Sequence, residues 1–167
     1  MRAGIALGSN VGDRLQNLRV ARACVLAIQG VGSPVKISRV YETDPVGCAP
    51  ETMPFMNAVM EVGWNGFSTA NLLLELRAVE RSMGRPEREP RNASRVIDLD
   101  LLYIDHAMPS TDELTLPHPR MTQRRFVLAP LADICPDLIL PNQMKTIAQL
   151  LAELPDEPRA TATDFPF

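Results

Sequence analysis

The spacing of apolar residues changes period several times along the chain, and each change marks an element. Ile5 to Leu7 is a short apolar run closed by Gly8-Ser9-Asn10, which predicts a strand. Asp13 is a helix N-cap residue, and Leu15, Leu18, Ala21, Val25 and Ile28 follow at helical spacing until Gly30 and Gly32. Val35 and Ile37 then alternate with Lys36 and Ser38, a strand pattern that slips at Val40-Tyr41, where a bulge is expected. Thr43 to Pro54 carries Asp44-Pro45, Gly47 and Pro50 and reads as a loop. Phe55 to Trp64 is the clearest strand: Met56, Ala58, Met60, Val62 and Trp64 share a core face, and Phe55 and Asn57 share the other.

Ser68 caps a second predicted helix with Leu72, Leu73, Leu76, Val79 and Met83 inward, closed by Gly84. Val96 to Ile104 predicts a strand, and Leu114-Thr115-Leu116 a short one before Pro117-His118-Pro119. Phe126 to Ile134 predicts a buried helix whose start Pro130 limits. Thr146 and Gln149 make a capping box for a last helix bearing Ile147, Leu150, Leu151 and Leu154. The order strand-helix-strand-strand-helix-strand predicts an α+β, ferredoxin-like βαββαβ core. In it, helices cover one face of an antiparallel sheet and leave a substrate cleft with flexible loops on the other. A single domain is expected over residues 1–155, with a loosely held tail over 156–167.

With 46% apolar and 22% charged residues, the 167-residue chain is globular rather than disordered. A net charge of −3 argues against a general nucleic-acid binder. Only Lys36 and Lys145 are lysine, so nearly all the positive charge is arginine, the better match to planar, bidentate phosphate contacts. Cys24, Cys48 and Cys135 have neither metal-ligand spacing nor a disulfide framework. No apolar stretch approaches the roughly 20 residues that span a bilayer, and the apolar part of MRAGIALGSN is short for a secretory signal. A cytoplasmic setting is the expectation.

The chemistry concentrates between Arg85 and Asp100. On a strand, Asp98 and Asp100 point to one face and Leu99 to the other. Two carboxylates this close repel by about 4 kcal/mol at an effective dielectric near 20, a penalty that a bound cation removes. Mg²⁺ shared with polyphosphate oxygens suits such a pair, and Arg85, Arg88, Arg91 and Arg95 supply charge for the phosphates. Alone, an Asp-x-Asp more often marks a solvated strand edge; beside an arginine cluster it points to a polyanion between the two.

Seven ordered motifs extend this picture: LGSNVGDR (Leu7–Arg14), VYETDPVG (Val40–Gly47), FMNAV (Phe55–Val59), ERSMGR (Glu80–Arg85), RVIDLDLLY (Arg95–Tyr103), LPHPRM (Leu116–Met121) and RRFVLAPLADICP (Arg124–Pro136). Together they make the chain resemble the 6-hydroxymethyl-7,8-dihydropterin pyrophosphokinase family of folate synthesis from about Ile5 to about Leu151. The resemblance implies transfer of the β,γ-pyrophosphoryl group of ATP to the hydroxymethyl oxygen of a reduced pterin, with release of AMP. It implies two Mg²⁺ ions on Asp98 and Asp100, and Arg85 and Arg95 on the reacting phosphates. Arg77, Glu80, Ile97, His118 and Arg124, with Arg95, fall at nucleotide positions. Thr43, Asp44, Val46 and Asn57, with Asp98, fall at the pterin, and Phe55 and Phe126 at its two faces. The partners implied are these two substrates, with no nucleic acid or membrane, and a monomer is expected. The chain departs from the family where an Arg-Trp-Gly-Pro-Arg-Thr run becomes Arg91-Asn92-Ala93-Ser94-Arg95-Val96. Pro119 follows the histidine in place of tyrosine, and Glu87 stands at a basic position, with Arg88 next to it. Two other readings stay open: a Mg²⁺-dependent nucleotidyltransferase, which would release pyrophosphate, and a non-catalytic pterin- or nucleotide-binding protein. A P-loop kinase is disfavoured because there is no Gly-x-x-x-x-Gly-Lys-Ser/Thr.

Overall fold

The computed structural model describes residues 1–47, 51–66, 68–86 and 93–167. Cys48 and Pro50, and Glu87, Arg88, Arg91 and Asn92 of the arginine run, lie outside the described residues. The chain forms β1 (Arg2–Ser9), α1 (Arg14–Ala27), β2 (Val31–Ile37), β3 (Tyr41–Thr43), β4 (Phe55–Trp64), α2 (Thr69–Ser82), β5 (Asp98–Ile104), a 3₁₀ turn (Met121–Gln123), α3 (Arg125–Ile134), α4 (Ile147–Glu153) and β6 (Ala160–Ala162). The sheet runs β5-β1-β4-β3-β6, with β2 also on β4, and every pairing is antiparallel. This is the expected α+β arrangement with a ferredoxin-like core.

The caps form as their residue types dictate. Gln16 donates its backbone N–H to Asp13 Oδ1 at 3.0 Å, and Asn71 donates to Ser68 Oγ at 3.1 Å. Both members of the Thr146–Gln149 box are made, at 2.9 and 3.2 Å. Gly84 ends the α2 segment at φ 97°, in the left-handed region that only glycine enters freely. The two longest helices, α1 and α2, cover one face of the sheet, burying Leu18, Val25, Leu72 and Leu76 against Ile5, Leu7, Met60 and Leu99. The later helices α3 and α4 cover part of the opposite face, with Val127, Leu128, Leu131 and Ile147 around Val59 and Tyr103. They leave the end of that face nearest Asn57 and Asp98 as a cleft.

Four details differ from the expectations. The strand pairing is interrupted at residues 38–40 rather than merely slipping. The register shift falls between Gly32 and Val35, where Pro34 has no N–H to give the ladder. Leu114–Leu116 contributes an isolated bridge, Thr115 with Ser110, instead of a strand. Pro130 lies inside α3. An interior proline costs about 3 kcal/mol, which burial of Val127, Leu128 and Leu131 at roughly 1.5–3 kcal/mol each offsets. Finally, residues 156–167 are not loosely held: β6 pairs with β3, and Phe167 packs against the core beside Arg22 of α1.

Candidate active site

Strand register builds the floor of the cleft. Gly8 on β1 stands between Asn57 on β4 and Asp98 on β5, and Ala6 stands between Val59 and Asp100. Residues directly opposed in a ladder point to the same face, so Asn57, Asp98 and Asp100 share the face that opens into the cleft. Leu99 turns the other way, into the core. A Cβ on Gly8 would meet Asn57 Oδ1 at 2.8 Å, so glycine keeps the middle of the floor low. The cleft encloses about 1350 Å³, more than the roughly 300–1,000 Å³ of a pocket for one small molecule.

At one end, acid and base interlock. Asp98 Oδ1 accepts from Arg85 Nη1 at 2.8 Å and from Arg95 Nη1 at 2.9 Å. Arg85 Nη1 also donates to Glu80 Oε1. Glu80 reaches that position because Leu73, Arg77, Glu80 and Arg81 follow one another on a single face of α2, and all four line the cleft. Burial pushes the Glu80 carboxyl up to about 7, against the Leu99 amide and the Arg85 guanidinium, while the negative charge of Asp98 adds to the rise. Burial likewise raises Asp100, and the neighbouring Asp98 charge raises it further, against His118 and Arg124. Arg124 Nη1 lies 3.6 Å from Asp100 Oδ2.

His118 is fixed at two points. Its backbone N–H donates to Leu102 O at 2.8 Å, and its Nδ1 accepts the Arg120 N–H at 3.2 Å. The proton of the neutral ring therefore sits on Nε2. Burial lowers the pKa of this ring more than the Asp100 charge raises it, so His118 is a neutral donor near pH 7.

The acidic pair fits a hard cation. Asp98 and Asp100 are two residues apart on β5, about 6.6 Å along a strand; burial first and the Asp98 charge second raise Asp100, and a bound cation would relieve both penalties. Among the described residues there is no group of three or more His, Cys, Asp or Glu side chains placed to hold a metal. Two carboxylates whose remaining ligands come from water and phosphate oxygen suit Mg²⁺.

The other end of the cleft carries an amide, a hydroxyl and two aromatic rings. Asn57 Nδ2 donates to Thr43 Oγ1 at 2.6 Å, and both side chains are almost fully buried. Phe55 is paired with Thr43, and Phe126 is the second residue of α3; both rings line the cleft, as do Asp44 and Val46. The Arg124 guanidinium lies 5.4 Å from the centre of the Phe126 ring, within cation–π range.

Of the sequence-predicted site residues that the structure describes, all but Ile97 line this one cleft; the Ile97 side chain is buried in the core, and Arg88 and Arg91 lie outside the described residues. Sequence reasoning missed Arg81, Arg120 and Gln123, which also line it. Arg81 could have been found from its place four residues after Arg77 on a helix, and Arg120 from its place two after His118. It also assigned no role to Asn10, which is 4% exposed and clamps the base of the arginine run. Asn10 Oδ1 accepts from Arg95 N at 2.8 Å, its backbone N–H donates to Arg95 O at 3.2 Å, and Nδ2 donates to Ser94 Oγ at 3.1 Å.

A family model described as 7,8-dihydro-6-hydroxymethylpterin-pyrophosphokinase (HPPK) matches residues 4–136. A Bacillus subtilis protein named 2-amino-4-hydroxy-6-hydroxymethyldihydropteridine pyrophosphokinase is 45% identical over 136 residues, covering 80% of this chain and 77% of its own. A Methylorubrum extorquens protein of the same name is 38% identical over 154 residues, covering 92% and 93%. Other relatives are longer: the chain spans 26% of an Arabidopsis thaliana folate synthesis bifunctional protein, at 38% identity over 130 residues or 78% of this chain. Among solved structures, wild-type Plasmodium falciparum HPPK-DHPS with pterin and p-hydroxybenzoate superposes with a TM-score of 0.68 at 15% identity, over 91% of this chain and 42% of that one. At that identity the likeness is one of fold.

Proposed function

The chain belongs to the 7,8-dihydro-6-hydroxymethylpterin-pyrophosphokinase family, and from that premise we propose how its cleft performs the family's reaction. The protein transfers the pyrophosphoryl group of ATP to the hydroxymethyl oxygen of 6-hydroxymethyl-7,8-dihydropterin, releasing AMP. One observation carries this reading: the Asp98–Asp100 pair, met by Arg85, Arg95 and Arg124, shares a cleft with the Asn57–Thr43 pair and two phenylalanines.

Asp98 and Asp100 would hold Mg²⁺, which would supply positive charge against the phosphates. Phosphoryl-type transfer asks the protein mainly for positioning and charge. Arg85 and Arg95 come from either end of the run between α2 and β5, so they can exchange Asp98 oxygens for phosphate oxygens as the ligand enters. His118 donates its Nε2 proton to a phosphate oxygen, and Arg124 supplies fixed positive charge. Arg77 and Glu80 face the nucleotide from α2, and Ile97 can meet it only through its backbone. Asn57, having both a donor and an acceptor, reads the pterin edge with Thr43 and the backbone of Asp44 and Val46. Phe55 and Phe126 stack on the pterin faces, at about 1 kcal/mol per ring. The unit of function is a monomer acting in the cytoplasm; among the described residues no helix is long and apolar enough to cross a membrane.

The test is product identity. With ATP, the reduced pterin and Mg²⁺, AMP must appear in step with pterin consumption. Pyrophosphate release would instead mark a nucleotidyltransferase, and binding of both ligands without turnover a non-catalytic protein.

A further inference from the structure

We propose that residues 156–167, which lie beyond the 4–136 stretch matched by the family model, are a strap that positions the Thr43–Gly47 loop for the pterin. The inference deepens the reading above and rests on its placement of the pterin at that loop.

The strap is tied at both ends and in the middle. At its start, Arg125 Nη1 donates to Leu154 O and Pro155 O at 3.4 and 3.2 Å, and Nη2 lies 3.2 Å from Asp156 Oδ1. Arg125 opens α3 directly before Phe126. At its far end, Arg19 donates to Pro166 O at 2.6 and 3.1 Å, and the Arg22 guanidinium sits 5.2 Å from the Phe167 ring. Between these anchors β6 pairs with β3, setting Ala162, Thr161 and Ala160 opposite Tyr41, Glu42 and Thr43.

Bonding continues past both ends of this short ladder. Thr163 donates through N–H and Oγ1 to Val40 O at 2.8 and 3.0 Å. Asp44 donates its N–H to Arg159 O at 3.2 Å, and the Arg159 N–H donates to Asp44 Oδ2 at 3.0 Å. The Asp44 carboxylate, expected from the resemblance at the pterin, thus spends an oxygen on the strap.

The path to the ligand is short. β3 has three residues, too few to hold a position on one ladder alone. Its last residue, Thr43, accepts the Asn57 side chain at 2.6 Å. The strap closes the second edge of β3, so the Thr43 hydroxyl, the Asn57 amide and the Asp44–Val46 backbone are set before ligand arrives. A site ordered in advance binds more tightly because less freedom is lost on binding. Nothing in the strap lines the cleft, so its effect must act through the loop, on the pterin and not on ATP.

Two variants test this. One chain stops after Asp156. The other is full length with Thr161→Pro. Thr161 is exposed and sits opposite Glu42, midway between the bonded positions Val40–Thr163 and Asp44–Arg159; antiparallel alternation makes it a hydrogen-bonded pair, so proline removes one ladder donor at little other cost. The second variant decides the matter if the truncated chain fails to fold. Kd is measured for the reduced pterin and, separately, for a non-hydrolysable ATP analogue with Mg²⁺, alongside hydrogen exchange of residues 41–47 without ligand. Loss of one or two backbone hydrogen bonds predicts a pterin Kd about tenfold weaker, an unchanged nucleotide Kd and faster exchange over 41–47. Equal weakening of both ligands, or an unchanged pterin Kd in folded variants, overturns the strap alone. A wild-type protein that binds no reduced pterin sinks the functional reading itself, and the strap with it.

Discussion

The Glu80 carboxylate accepts the backbone N–H of Leu99 at 2.8 Å and so secures the one residue that separates Asp98 from Asp100. A helix side chain thereby sets the height of the acidic strand while also holding Arg85. Its raised pKa means the folded protein favours the neutral carboxyl. The stabilising contribution is therefore complete below the unfolded value near 4.5 and is lost as pH rises through about 7. Glu80→Gln keeps an acceptor for Leu99 and does not titrate. In urea titrations from pH 4.5 to pH 8, wild type should lose up to about 3 kcal/mol relative to this variant. Parallel curves would show that the ionised carboxylate is not costly where it lies.

Asp98 and Asp100 should separate when each is changed to Asn. Both variants should lose about 10²–10³ or more in AMP release. Asp100→Asn removes one of two like charges from a half-buried position and should leave the ligand-free protein as stable as wild type or more so at pH 8. Asp98→Asn leaves a neutral amide oxygen as acceptor but removes the negative charge shared by Arg85 and Arg95 and should cost about 1–2 kcal/mol. Identical shifts in denaturation midpoint would contradict this division.

Asn10 should behave as a positioning residue for Arg95. Asn10→Ala leaves the Arg95 N–H without its side-chain acceptor and should lower kcat well beyond any change in pterin Kd. Its stability cost should be about 1–3 kcal/mol. Asn10→Asp retains the acceptor for Arg95, loses the donor to Ser94 and adds a buried carboxyl at a stability cost, so among folded molecules it should recover more of kcat than Ala does. If Asp rescues no better than Ala, the clamp is not the cause.

Gly8→Ala places a methyl group 2.8 Å from Asn57 Oδ1. The amide must rotate away from Thr43, so pterin affinity should fall about tenfold or more, the cost of one buried hydrogen bond lost with its partner left unpaired. Nucleotide affinity should hold, because Arg85, Arg124 and His118 lie on other elements. Calorimetry with each ligand separately distinguishes this from general damage to the cleft.

The sequence by itself determined whatever is completed within a few residues. The caps at Asp13, Ser68 and Thr146 form because donor and acceptor lie three residues apart. Asp98 and Asp100 share a face because strand side chains alternate. The βαββαβ order follows from hydrophobic period alone, and the seven motifs carried the family. Only the tertiary structure decided what joins distant stretches: Asn10 to Arg95, Glu80 to Leu99, and Asp44 to Arg159. It also placed Pro130 inside a helix and residues 160–162 on the sheet. The physical reason is the same in each case. These outcomes depend on burial and hydrogen bonds supplied by another element, and a local pattern contains no term for a partner that folding has yet to bring near.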